Sequence, residues 1–114
     1  MKKDRVSSVR VRRFADMFSA MGAEPRLKIV RLLLSAHPGA LTVTEIQSAL
    51  DIPNSTLSHH LDRLKQEDLV TVQRDGTFLW YSANSKVLEQ LLTFFYSECL
   101  PLGPKLHKAQ PSGC

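Results

Sequence analysis

The triplet Asp51-Ile52-Pro53 falls between two amphipathic helical patterns and leaves that stretch few ways to fold. Upstream, Thr42 and Glu45 have the spacing of a capping box, which opens a short helix turning Ile46, Ala49 and Leu50 inward. Proline disfavours helical geometry at the residue before it, so this helix must stop ahead of Pro53. A second helix starts near Asn54 and keeps Leu57, Leu61 and Leu64 on one face, at i, i+4 and i+7. At about 100° per residue, its opposite face carries Ser55, Thr56, His59, Asp62 and Arg63. Two short helices joined by a tight turn, the second with a polar outer face, have the pattern of a helix-turn-helix. Hydroxyls, imidazole and guanidinium are the groups that read base edges and phosphates. The same pattern also suits two packed helices whose polar face is merely solvated.

The flanking sequence favours the first reading. After Leu64 come the β-rich runs Leu69–Arg74 and Thr77–Ser82, separated by Asp75-Gly76, a strong hairpin signal. A hairpin directly behind a reading helix is a wing, and Arg74 at its tip would either reach a phosphate or the minor groove or simply be solvated. Upstream, a helix from Val11 carries Phe14, Met17, Phe18 and Met21 and ends at Gly22. Pro25 suits the first turn of the next helix, whose Leu27, Ile29, Val30, Leu32, Leu33 and Leu34 mark it as the central buried one. Asn84 or Ser85 caps a last helix with Val87, Leu88, Leu91, Leu92, Phe94, Phe95 and Cys99. The first and last helices are more apolar than a small monomer can cover, so Phe14, Phe18, Leu91 and Phe95 are expected at a dimer interface.

At 114 residues, the chain has room for one domain with a modest core. Residues 1–10 read as a disordered basic arm, 11–100 as the DNA-binding and dimerisation domain, and 101–114 as a flexible tail. The net charge of +4 permits a polyanionic partner. No apolar run approaches the ~18 residues of a membrane span, and no signal-peptide pattern opens the chain, so a cytoplasmic protein without membrane contact is expected. Two cysteines are too few for a disulfide framework. No Ser/His/Asp set, glycine-rich phosphate loop or paired-carboxylate motif stands out, so no enzymatic activity is expected and no cofactor is required.

The order helix, helix, helix-turn-helix, hairpin, helix is mainly α with a β-hairpin wing. The run Pro53-Asn54-Ser55-Thr56-Leu57-Ser58-His59-His60-Leu61, followed by Leu64, Leu69 and Val70, resembles the recognition segment of the ArsR/SmtB family, and Glu24-Pro25-Arg26-Leu27 resembles that family too. These are small dimeric bacterial repressors released from their operators by metals, arsenic or thiol chemistry. The resemblance implies a winged helix-turn-helix homodimer joined through its N- and C-terminal helices. Its partner would be double-stranded operator DNA, contacted by Asn54, Ser55, Thr56, Ser58, His59, Arg63 and Arg74.

What would release the DNA follows less directly. Many family members carry Glu-Leu-Cys-Val-Cys on the first helix of the helix-turn-helix. The matching stretch here, Leu41-Thr42-Val43-Thr44-Glu45, has threonine at both cysteine positions, and threonine supplies no soft thiolate. Zinc-responsive members place Asp and His on the last helix, where this chain offers only Glu89 and Glu98. A further arsenic-responsive group ends that helix with Asn-Cys-Cys, which Glu98-Cys99-Leu100 matches at one cysteine. Trivalent arsenic needs two or three thiolates, so Cys99 would bind As(III) together with Cys114 from the tail or with the partner subunit's Cys99. Three other readings stand beside that one. The cysteines would be a thiol redox or persulfide sensor, or Cys99 a packed small hydrophobe and Cys114 an incidental thiol, or the protein an interaction module with no inducer.

Overall fold

The computed structural model describes residues 2–98, with side chains described from 8 to 97. The elements run α1 (Lys2–Met21), α2 (Glu24–Ala36), β1 (Leu41–Thr42), α3 (Val43–Leu50), α4 (Asn54–Gln66), β2 (Val70–Asp75), β3 (Phe78–Ala83) and α5 (Ser85–Glu98). This is a winged helix-turn-helix: a helical layer against a three-stranded antiparallel sheet ordered β1-β3-β2. The core draws on every helix and the wing, with Met17, Ile29, Leu33, Ile46, Leu57, Leu61, Leu64, Leu69 and Val70 fully enclosed. Among the described residues, no helix is long and apolar enough to cross a membrane.

The local signals behave as their chemistry requires. Thr42 Oγ1 accepts from the Glu45 backbone N–H at 3.2 Å, and Glu45 Oε1 accepts from the Thr42 backbone N–H at 2.9 Å, completing the capping box. Asp51 closes α3 in the left-handed region (φ 55°, ψ 48°), a conformation that aspartate tolerates better than most residues. Asn84 is the cap of α5: its Oδ1 accepts from the Val87 N–H at 3.3 Å, while its Nδ2 donates to the Asp68 carbonyl at 2.9 Å.

Several expectations need correction. The arm expected over residues 1–10 is helical from Lys2, because residues 2–13 contain no glycine or proline to stop a helix. Leu41 and Thr42 form a short strand before α3, pairing with Tyr81 and Trp80 of β3. Two residues carry no detectable strand pattern, so only the sheet reveals this one. The hairpin turn lies one residue later than Asp75-Gly76 suggested. Asp75 pairs with Phe78, leaving Gly76-Thr77 as the two-residue loop. Of these two, Gly76 takes positive φ (66°) and Thr77 does not, as a type II′ turn demands. Finally, α2 is not wholly buried. Ile29, Val30 and Leu33 are inside, but Leu27 and Leu34 face outward.

Candidate nucleic-acid interface

The second helix of the helix-turn-helix, α4, is anchored by one face and free on the other. Leu57, Leu61 and Leu64 are at most 1% exposed, which fixes the rotation of the helix about its axis. That rotation leaves Asn54, Ser55, Thr56, Ser58, His59 and Asp62 exposed. Gln66 is exposed as well, and the spacing 55, 59, 62, 66 puts it on the stripe of Ser55, His59 and Asp62. Sequence reading ended the polar face at Arg63. Extending the i, i+4, i+7 count by one step would have found it, and a glutamine suits the adenine edge.

Two of the expected contact residues are placed differently from the rest. Arg63 lies on the flank of α4, half-buried, with Nη1 3.2 Å from Glu67 Oε2, so a phosphate or base would have to compete with that carboxylate. Arg74 is exposed but not at the wing tip, since it pairs with Leu79 two residues before the loop. Strand alternation sets it on the sheet face of Val72, Leu79 and Tyr81, the inner face. A groove of about 390 Å³ beside the wing is lined by Ala40, Gln73, Arg74, Asp75 and Trp80.

The seat of α4 has polar parts that sequence reading did not anticipate. His60, half-buried, turns away from the exposed stripe, and its Nδ1 lies 3.3 Å from Arg26 Nη1 of α2. Arg26 Nε also donates to the Ala20 carbonyl near the end of α1. Burial lowers the His60 pKa below its ordinary value, and the positive charges of Arg26 and His59 lower it further. On the wing, Tyr81 is nearly enclosed, and its hydroxyl is raised above the usual tyrosine value by burial and then by Asp62. The signal for the first pair was the Glu24-Pro25-Arg26-Leu27 motif, whose arginine no sequence rule directs toward a histidine 34 positions away.

At the other end of the protein, α1 and α5 meet within one protomer. Phe14 stacks on Phe94 with ring centroids 4.4 Å apart, and Phe18 meets Phe95 edge-on at 6.1 Å. Arg10 lies over both rings of the inner pair, at 5.8 and 5.7 Å. Phe14 and Leu91, expected at a dimer surface, are therefore core residues, 6% and 3% exposed. Phe18 and Phe95 remain outside, and with Leu92 and Tyr96 they leave an apolar patch where 43–66% of each side chain meets solvent. Cys99 and Cys114 lie outside the described residues. Among the described residues, no three His, Cys, Asp or Glu side chains come together as a metal site.

Comparison with known proteins agrees with this architecture. The pattern of the helix-turn-helix domain family matches residues 21–73, from the end of α1 into β2. The chain is 33% identical over 79 residues to the transcriptional repressor SdpR of Bacillus subtilis (strain 168), covering 69% of this chain and 84% of that protein. It is similar to the crystal structure of a possible transcriptional regulator for arsenical resistance, at TM-score 0.63 and 30% identity over 80% of this chain and 92% of the other. It is also similar to a homodimeric winged helix-turn-helix DNA-binding domain from Mycobacterium bovis, a possible ArsR-family regulator solved by NMR. That match has TM-score 0.64 and 26% identity over 83% of this chain and 86% of the other. The capped α3, the leucine-anchored α4, the wing behind it and these relatives together establish that the chain belongs to the ArsR/SmtB family of winged helix-turn-helix transcriptional regulators.

Proposed function

We propose that the protein is a homodimeric repressor that holds operator DNA with α4 and releases it when a thiophilic inducer, As(III), binds at Cys99. The observation that carries the DNA-binding part is the division of α4. Leu57, Leu61 and Leu64 fix the helix, while Asn54, Ser55, Thr56, Ser58 and His59 are all exposed and free of core duties. An element held this rigidly on one side presents the other to a major groove with little ordering left to do. Arg74 beside it adds a phosphate contact, and Arg63 adds one where a phosphate displaces Glu67.

The dimer is supported by the exposed cluster Phe18, Leu92, Phe95 and Tyr96, an apolar patch of the kind that marks an interaction surface. It is supported as well by the homodimeric state of the Mycobacterium bovis relative. The choice of As(III) rests on the thiol chemistry of Cys99 and Cys114 and on the arsenical-resistance relative. Inducer and operator would favour different dimer geometries, a reciprocal coupling of typically ~1–3 kcal/mol.

The test is fluorescence anisotropy on DNA from the chain's own upstream region, titrated with salt, arsenite, zinc, cadmium and peroxide. The expected outcome is tight binding that weakens steeply with salt and is released by arsenite. Cys99→Ser should bind DNA like the parent and ignore arsenite. Absence of operator-specific binding would overturn the repressor reading. Release of the Cys99→Ser protein by arsenite, or release of the parent by peroxide alone, would overturn the inducer assignment.

A further inference from the structure

Arg26 is a short-range hub between three helices. From α2 it donates to the Ala20 carbonyl of α1 through Nε, and its Nη1 lies 3.3 Å from His60 Nδ1 of α4. Nothing in the packing of Leu57, Leu61 and Leu64 requires a guanidinium there. An arginine has no proton to lose, so a ring nitrogen facing it must act as the acceptor, which requires the neutral imidazole with its proton on Nε2. We propose that Arg26, acting through neutral His60, is a positioning residue for operator reading: it ties the reading helix to the end of α1, and the tie fails when His60 is protonated. This inference rests on α4 being the reader.

The electrostatic surroundings offer protonated His60 no compensation. The charges acting on it are Arg26 from α2 and His59 from its own helix, both positive when protonated. The carboxylates of the packed elements are used elsewhere or lie in water. Glu24 of α2 pairs with Lys28, and Glu45 of α3 holds the Thr42 cap. Asp62 of α4 and Asp51 just past α3 are exposed, Glu67 just past α4 pairs with Arg63, and Asp68 pairs with Arg13 of α1. Asp16 of α1 and Asp75 of β2 are exposed. Protonation therefore sets a second cation against Arg26, with no anion to share.

The position of the contact gives it leverage. α1 contributes Phe18 to the apolar patch and Ala20 to the Arg26 hydrogen bond, only two residues apart. α1 and α4 also pack directly on each other in the core, and the guanidinium adds to that packing a discrete link that is either made or broken.

The experiment measures operator affinity of the parent, Arg26→Gln, His60→Ala and His60→Asn near pH 7.5 and about pH 5.5, with an NMR titration of His60 in the DNA-free protein. Asparagine is the informative variant, since its Oδ1 stands close to where Nδ1 was and accepts without titrating. At the higher pH, His60→Asn should bind like the parent, while Arg26→Gln and His60→Ala should bind about tenfold more weakly, the size of one charge-assisted hydrogen bond. At the lower pH, the parent should lose affinity relative to His60→Asn. His59 is present in both proteins, so its own effect cancels in that comparison. In the free protein, Arg26→Gln should raise the His60 pKa.

Equal affinities for all four proteins, or the same acid-side loss in His60→Asn as in the parent, would overturn the inference. If Arg26→Gln does not fold, the two His60 variants decide. A parent that binds no DNA would defeat the proposed function instead. The NMR titration would then decide the link by itself, a His60 pKa unmoved by Arg26→Gln counting against it.

Discussion

Replacing Thr42 with alanine removes one of two reciprocal hydrogen bonds at the start of α3, and the structure sets the size of the effect. The Oγ1 atom accepts from the Glu45 N–H at 3.2 Å, whereas the return bond from the Thr42 N–H to Glu45 Oε1, at 2.9 Å, needs no side chain at position 42. The orphaned Glu45 N–H sits at an exposed helix end, where water replaces part of the lost bond. Substitution of such a cap by alanine typically costs ~1 kcal/mol, within a range of about 0.5–2. For a domain this small, that corresponds to a fall in Tm of about 4–8 °C. Thr42 also pairs with Trp80 through the backbone, and alanine keeps that pairing. Thr42→Ser, which restores the oxygen, should recover nearly all of the loss. Thermal or urea unfolding of Thr42→Ala, Glu45→Ala and the double variant, at one protein concentration, tests the box as a unit. The double variant should be less destabilised than the sum of the singles, because each bond holds its partner's rotamer. A Thr42→Ala protein as stable as the parent, or strict additivity in the cycle, would refute the capping argument.

Three further outcomes follow from the same geometry. His59→Ala should weaken operator binding by ~1–3 kcal/mol, the worth of a good base contact, with no change in unfolding midpoint; Arg63→Ala should cost less, since its guanidinium is engaged by Glu67. Competition binding and thermal scans on the same samples separate the two effects. Phe18→Glu or Phe95→Glu should give a folded monomer in sedimentation velocity, because both rings are about half exposed, whereas Phe14→Glu should unfold the protomer by burying a charge against Phe94. Tyr81 has its hydroxyl raised above the ordinary value, so the unfolded chain loses that proton first and stability falls as pH rises past about 10. Tyr81→Phe should flatten the alkaline limb of a stability-versus-pH curve, and an unchanged limb would count against the raised hydroxyl.

Much of this protein is decided by short-range chemistry, and that part is legible in the sequence. The capping box, the stop before Pro53, the leucine stripe of α4 and the Asn84 cap each rest on interactions within three or four residues, or on the steric effect of proline on its neighbour. Such interactions depend on the identity of a few nearby residues, so their spacing announces them, and the order of elements follows. The tertiary structure decided where two distant segments meet. Whether Leu41-Thr42 is a strand depends on Trp80 and Tyr81 offering it an edge. Which phenylalanines are core and which are surface depends on how α5 folds back on α1: Phe14 and Phe18 lie on one helical stripe, yet only Phe14 is covered, by Phe94. Arg63 and Arg26 are both arginines on helices beside the reading surface. One spends its charge on a glutamate of the next turn, and the other reaches 34 residues along the chain to a histidine. A side chain with four or more rotatable bonds finds its partner through the field and shape of everything around it, and that environment exists only once the chain has folded.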